Sequence, residues 1–407
     1  MNSVMLQLTA RDPIVARDGR PFGAGQGNRM RGLGWPLPSV VAGSFRTALV
    51  KAHPDLDFSG DMPQQLMAIE VAGVFPAVGN ELYLPAPSDA VAEPTEDSKA
   101  IKRVHRVTPQ PNSGGGDFPD DLPVQPVMLS EDQSKQDFKP KPVPAWWPLK
   151  RYEEWLTTEK AELPGDWFDA NFLNAAVQEN RDHVSLDADT GAAADGQLFS
   201  TAGLNAAHLP RYRIAGSDPF RERFYEVVLS ARVAIPDSDA ALKLDNQFQT
   251  WHPLGGERRL VHWKAGGPVD GWTCPDRVKS ELACATRIRM VLATPAIFAE
   301  GWKPGWLKDG LPVGPKGDRV KPKLVGVSNG RWKAVSGWSL QPLPETGRPG
   351  PKQIRRMVPA GSVYFFEVAR GEAAVLAEHW LKSVSDGEQE RRDGFGLAVW
   401  GTWSPHE

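Results

Sequence analysis

Cysteine is nearly missing from this chain: Cys274 and Cys284 are the only two in 407 residues, with no CxxC spacing and no histidine clustered beside them. That speaks against a disulfide framework and against a structural zinc site. No apolar run of about 20 residues is available to span a bilayer. Met1–Leu8 is too short for a secretory leader and is soon interrupted by Arg11-Asp12-Pro13. The expectation is a cytoplasmic protein with no membrane partner. Eight histidines are scattered without an HExxH, an HD pair or metal-ligand spacing. No Gly-Lys-Ser/Thr follows the glycine-rich stretches, which excludes a nucleoside-triphosphate loop, and no serine-nucleophile elbow is expected. The chain is expected to have no catalytic activity, cofactor or metal.

What the chain has instead is glycine and arginine in the same places. Residues 19–34 hold six glycines and three arginines, Arg20, Arg29 and Arg31, with no carboxylate. Val41, Phe45, Ala48, Leu49 and Ala52 then recur at helical spacing behind Pro38-Ser39, which predicts a helix over 38–52. Its other face carries Ser39, Gly43 and Arg46. A glycine-rich loop entering a helix N-terminus offers free N–H groups to a phosphate. Arg46, one or two turns along, is expected to join that site and to tolerate alanine without harm to the fold. A second block, Arg391-Arg392-Asp393-Gly394-Phe395-Gly396, lies near the other end. Bare backbone beside two guanidiniums suits a phosphodiester chain. The plainer reading of the first block is a surface loop before an ordinary core helix.

The net charge is only −3, so its distribution matters more than its sum. Residues 1–46 contain six arginines against two aspartates. Residues 316–356 contain ten lysines and arginines, Lys352, Arg355 and Arg356 among them, against Asp318 and Glu345. Acid collects elsewhere, from Asp89 to Asp97 and from Asp117 to Asp132. Any one such run reads best as a solvated face, but two basic runs beside glycine-rich loops favour RNA. Gly255-Gly256 predicts a turn presenting Glu257, Arg258 and Arg259, followed by a short strand ending at Lys264. Either these cations reach an RNA backbone, or Glu257 holds one arginine in an internal salt bridge.

Six segments carry a resemblance. They are Arg17-Asp18-Gly19-Arg20-Pro21-Phe22, Pro36–Arg46, Asp187 through Gly196-Gln197-Leu198-Phe199-Ser200-Thr201, Leu254–Arg259, Thr294–Phe298 with Gly301-Trp302, and Gly361–Phe366. In this order they resemble the third subunit of the Cmr complex, a RAMP-superfamily component of type III-B CRISPR–Cas effectors. The similarity covers residues 11 to 403 and is weakest between 90 and 180. It implies an α+β fold of two ferredoxin-like, RRM-related domains. It also implies a non-catalytic role in gripping the 5′ tag of a guide RNA. The implied partners are that RNA, the large polymerase-like subunit and the backbone-forming RAMP subunit.

The chain is too long for one ordinary core, and the expected division is 1–215 and 216–407, with an insertion over 94–180. That insertion is rich in Pro, Gly, Ser and acid. Arg103, His105 and Arg106 lie in a strand-like part of it and could form a basic finger. Helices are expected over 151–159, 167–178 and 372–381. Of the fifteen tryptophans, Trp251, Trp263, Trp302 and Trp338 neighbour basic or glycine-rich turns and could stack on bases. Two other functions compete. His252 and His262 could serve as general acid and base of a metal-independent, guide-processing endoribonuclease, although structural histidines are the plainer reading. Tryptophan content alone suggests a carbohydrate-binding protein.

Overall fold

Leu6, Leu8 and Ala10 alternate with Met5, Gln7 and Thr9, so the first strand has one apolar face. That face receives Val41, Phe45, Ala48 and Leu49 of the first helix, whose 3.6-residue period brings all four to one side. The chain is described by a computed structural model over residues 2–17, 28–111, 124–130, 137–213, 224–236, 242, 244–268, 270–313, 319–339, 342–343 and 346–405. It is an α+β protein with several antiparallel sheets.

The strands that position the site are β1 (Asn2–Ala10), β2 (Asn28–Arg29), β3 (Glu70–Val78), β4 (Glu81–Pro85), β5 (Trp146–Pro148), β6 (Gln178–Leu186), β7 (Ala193–Leu204), β8 (Val228–Ile235) and β9 (Gln249–Pro253). They continue with β10 (Leu260–Ala265), β11 (Arg287–Leu292), β12 (Lys323–Ser328), β13 (Lys333–Val335), β14 (Arg355–Met357), β15 (Val363–Glu367), β16 (Lys382–Ser383) and β17 (Leu397–Thr402). The main helices are α1 (Pro38–Ala52), α2 (Leu149–Thr157) and α3 (Asp276–Cys284).

The first sheet runs β9–β10–β1–β8–β3–β4–β5 and the second β12–β15–β11–β17–β16. Every pairing in both is antiparallel. Although β8, β9 and β10 lie beyond residue 216, they belong to the first sheet, with β8 between β1 and β3. A division at 215/216 would cut that sheet. The hairpin β6–β7 stands apart and takes up β2 as a parallel neighbour.

Among the described residues of the 94–180 stretch, Arg103, His105 and Arg106 form no basic finger. Trp147, Trp155, Trp167, Phe168 and Phe172 build an aromatic cluster, with Trp147 and Trp155 meeting edge to face at 5.4 Å. The cluster belongs to one core with Tyr364, Phe366 and Trp400 of the second sheet. Arg106 is buried, donating to the carbonyls of Thr158 and Thr402. His105 is buried between Glu93 at 2.8 Å and Glu162 at 3.6 Å. Arg103, partly exposed, pairs with Glu162 at 2.9 Å. Acid from neighbouring strands answers Arg103 and His105, and backbone carbonyls answer Arg106.

Two of the three expected helices differ. The first, α2, forms close to its expected place. Residues 165–167 make a single 3-10 turn, after which Leu173 bridges Trp146 in extended form, while Phe168 and Phe172 both join the aromatic cluster. Glu372–His379 winds as a tighter 3-10 helix behind Gly371, whose φ is 88°. Among the described residues no helix is long and apolar enough to cross a membrane.

His379, packed in this core, makes stability depend on pH. Burial, then the nearby Lys382 charge, pushes its imidazole from 6.5 down to about 4. The unfolded chain takes up this proton near 6.5 and the folded chain only near 4. The contribution is therefore complete above 6.5 and is lost as pH falls toward 4, for about 3 kcal/mol in all. Urea midpoints measured at pH 7 and pH 5 should drop with acid, and His379→Leu should flatten that slope. An equal acid slope in the leucine variant would assign it to other groups.

Candidate nucleic-acid interface

The turn between β9 and β10 packs against the segment that leads into the glycine-rich loop. Gly255 has φ 81°, and a Cβ there would collide with the Val15 carbonyl, which accepts a hydrogen bond from Gly256 N at 2.8 Å. Glu257 and Arg258 both sit in the left-handed region, at φ 57° and 52°. Two such residues in succession turn the chain sharply and leave both side chains exposed. The loop's return leg is fixed as well. Arg17 bridges Gly32, Leu33 N donates to Ala16 O at 2.8 Å, and Met30 N donates to Ser200 O at 2.9 Å.

These bonds draw Arg17, Arg29, Arg31, Arg258 and Arg259 into one neighbourhood around β2 and β7. Arg17, Arg29, Arg31 and Arg258 are exposed; Arg259 is half-buried, with its Nε buried and unbonded. Among the described residues no carboxylate pairs with any of the five, so the internal Glu257 salt bridge does not form. Lys264 is exposed on β10. Arg20 and the glycines at 19–27 lie outside the described residues. Arg17 was part of a recognised motif but not of the expected binding set.

Helix α1 begins at Pro38 behind Leu37, with no side-chain cap and no acidic residue in its first turn. Ser39 is half-buried beside it and Gly43 is exposed, with open space where a Cβ would be. Arg46 departs from expectation. It is only 5% exposed, donating to Asp393 Oδ1 at 2.6 Å and to the Ile69 carbonyl at 2.7 Å. A guanidinium held this way is not free for a phosphate, and Arg46 leaves the set.

The C-terminal glycine block departs from expectation as well. A Cβ at Gly394 would run into the Val71 carbonyl, and the φ of 86° there favours glycine independently. These glycines serve contact within the protein. Arg392 pairs with Glu388 and Arg391 donates to the Ser385 and Asp386 carbonyls.

The second basic run nevertheless comes to the start of α1. A small core of Leu37, Ile297, Val335, Met357 and Phe395, with Leu33 and Val40 against it, holds the β13–β14 hairpin there. Arg356 lies over the ring of Trp332 at 5.0 Å, and Trp332 is 52% exposed. The signal for this platform was legible in Arg331-Trp332-Lys333, an aromatic between two cations, but was missed. Lys352 is exposed. Arg355 pairs with Glu390; burial works to raise that carboxyl, but the bond from Arg355, a backbone N–H and the charges of Arg355 and Lys352 together hold it below its ordinary value. Arg355 and Arg356 line a cleft of about 530 Å³ with Phe298, Glu300, Asp386 and Glu390.

Of the four tryptophans expected to stack, Trp251 is exposed, Trp263 is fully buried against Phe45, and Trp302 packs on the large core. The side chain of Trp338 is outside the described set. With so many indoles in the aromatic cluster, tryptophan content gives no support to a glycan site.

No acid–base pair forms either. His252 sits opposite Val261 and His262 opposite Trp251, so the two rings project from opposite faces of the sheet. Burial and then Lys51 push His252 below its ordinary value. Asp187 is occupied in a turn, accepting from Asp189 N, Thr190 N and Thr190 Oγ1. Gly326-Val327-Ser328-Asn329-Gly330 does have the letters of a nucleophile elbow, contrary to expectation. Ser328 lies on the edge strand β12 with its Oγ donating to the Ser88 carbonyl at 2.9 Å, and the segment after it runs into β13 without a helix. Among the described residues no group of three or more His, Cys, Asp or Glu could hold a metal.

The family model of CRISPR-associated protein (Cas_Cmr3) matches residues 6–403. The chain belongs to this family, which bears out the resemblance to the third Cmr subunit. No curated protein matches it. Among solved structures it is similar to a chain of the type III-B Cmr-beta complex bound to cognate target RNA and AMPPnP. That similarity is 12% identity and TM-score 0.42 over 89% of this chain and 86% of that one. A chain of the same type of complex bound to cognate target RNA gives 14% and 0.42 over the same shares. A chain of the Csm3–Csm4 subcomplex of a type III-A interference complex gives 12% and 0.38, over 99% and 100%. The family model alone carries the assignment.

Proposed function

We propose that this chain is a non-catalytic RNA-binding subunit of a type III-B Cmr effector that grips the 5′ tag of the guide RNA. Its neighbours in the assembly are the large polymerase-like subunit and the backbone-forming RAMP subunit. The observation that carries this reading is the gathering of Arg17, Arg29, Arg31, Arg258 and Arg259 with no carboxylate partner among the described residues. Unpaired guanidiniums held by backbone bridges are suited to phosphate oxygens. Ser39, Gly43 and the uncapped start of α1 extend the surface toward Arg356 and Lys352, where the second basic run arrives.

The two sheets support the ferredoxin-like part of the reading. Taking β1, β3, β8 and β10 as four strands in sequence, their spatial order is fourth, first, third, second. The strands β11, β12, β15 and β17 repeat it. A boundary near residue 270 suits this order. The second unit joins its strands through short helices and turns where α1 serves the first.

Within the assembled complex, Arg29→Ala, Arg31→Ala and Arg258→Ala should each weaken guide retention by about 1.5–3 kcal/mol. Each lost phosphate contact should also flatten the salt dependence by about 0.7 in slope for a single strand. His252→Ala and His262→Ala should leave cleavage per bound guide unchanged. Unaltered affinity and slope in all three arginine variants would remove the reading. A histidine variant with full guide occupancy and no cleavage would install the endoribonuclease in its place.

A further inference from the structure

The outer end of the first sheet has one face buried on α1 and one face open. On the buried side lie Val261, Trp263 and Ala265 of β10. On the open side the register aligns Trp251, His262 and Thr9 in one row across β9, β10 and β1, and Gln249, Lys264 and Gln7 in the next. Trp251 is 53% exposed, and its ring stacks on His262 with centroids 4.8 Å apart and planes 28° from parallel. A half-exposed indole on an edge strand is a poor choice for a surface meant to stay free, since edges invite unwanted pairing.

We infer that the Trp251–His262 pair is a stacking platform for an unpaired RNA base, a contact separate from the arginine cluster and continuous with it. The inference rests on the RNA-binding reading and adds to it the kind of contact this face makes. Aromatic rings take any base on their π-face, and sheet-borne aromatics are a recurrent way of holding single-stranded RNA. The polar company of the pair suits RNA better than a protein partner. Its two rows contain Lys264 and no carboxylate, and the amides of Gln7 and Gln249 can donate to and accept from a base edge. Lys264 is two residues along β10 from His262, about 7 Å away along the strand, within reach of the phosphate beside a stacked base. At the end of the same hairpin is the turn bearing Arg258 and Arg259, so a strand leaving the platform in that direction meets guanidiniums next.

The test uses the full chain and a fluorescein-labelled single-stranded octamer of uridines, followed by anisotropy. Trp251→Ala should weaken binding about tenfold and Trp251→Phe should restore most of it, as expected of a ring contact. With 5-iodouridine in the octamer, photocrosslinks should map to the Gln249–Pro253 strand, and a duplex of equal length should give none there. If Trp251→Ala binds as the wild type does while Arg31→Ala binds weakly, the platform is refuted and the arginine reading survives. Wild-type binding by both variants would overturn the two together. Crosslinks confined to other strands, or a neighbouring subunit shielding Trp251 in the complex, would make this face a protein contact instead.

Discussion

Arg46→Ala should lower the urea midpoint of the protein steeply, rather than loosen its hold on RNA. The guanidinium joins α1, on the first sheet, to the loop before β17, on the second. Its Nη1 meets Asp393, and its Nη2 meets the carbonyls of Ile69 and, at 3.4 Å, Arg392. Asp393 in turn accepts from Gln389 Nε2 at 2.9 Å, and the carboxylate is nearly buried. Truncating the arginine leaves that carboxylate with a single neutral donor and strands two carbonyls. Removing one partner of a buried pair costs about 3–5 kcal/mol, against a total of about 5–15 for a typical fold. Asp393→Ala should do similar damage, and the double variant should cost less than the sum of the two singles. A wild-type midpoint combined with a flattened salt dependence of guide binding would return Arg46 to the phosphate site.

The contrast shows what sequence carries and where it stops. Helix α1 was legible because its apolar period is local, and β15 because Val363–Phe366 is a continuous apolar run. The fate of an arginine is not local. The helix around Arg46 does not say whether its guanidinium is free or paired; what decides is a carboxylate 347 residues away. Arg106 was equally misread, since its burial depends on carbonyls at 158 and 402. Sheet membership beyond residue 216 failed for a related reason. Strand pairing across long separations leaves no periodic trace, so β8 and β10 read as the start of a new domain when they complete the first sheet. The glycines of the C-terminal block were recognised as demanding close approach, but the partner was the Val71 carbonyl and not a phosphate. Composition and turn chemistry were enough to expect Arg29, Arg31, Arg258 and Lys264 at the surface, where all four are exposed. Recognising Trp332 required attention to its two flanking cations.

The second large effect is expected at Asp89 and Arg289. Both are fully buried and paired, 200 residues apart in sequence. Asp89 follows β4 of the first sheet and Arg289 lies on β11, a central strand of the second. Trp155 Nε1 donates to the other oxygen of Asp89 at 2.9 Å, and Arg289 donates to the Trp155 carbonyl. Neighbouring bonds run the same way: Ser88 N donates to Gly361 O at 2.8 Å, and Ser328 Oγ to Ser88 O. Burial pushes the Arg289 guanidinium down from its ordinary value, and Asp89 opposes that shift. Burial, reinforced by the charge of Arg289, pushes the adjacent Arg106 down further. Alanine at Arg289 leaves a carboxylate in the core with only an indole N–H, and alanine at Asp89 leaves two buried guanidiniums side by side with no anion between them. Each single change should cost about 3–5 kcal/mol and appear as lost soluble yield or a collapsed urea midpoint. Asp89→Leu with Arg289→Met removes both charges at similar volume and should be milder than either alanine. It should still fall short of wild type, because the Trp155 indole loses its acceptor, at about 1–3 kcal/mol. Midpoints equal to wild type in both alanine variants would show that the pair does not hold the two sheets together.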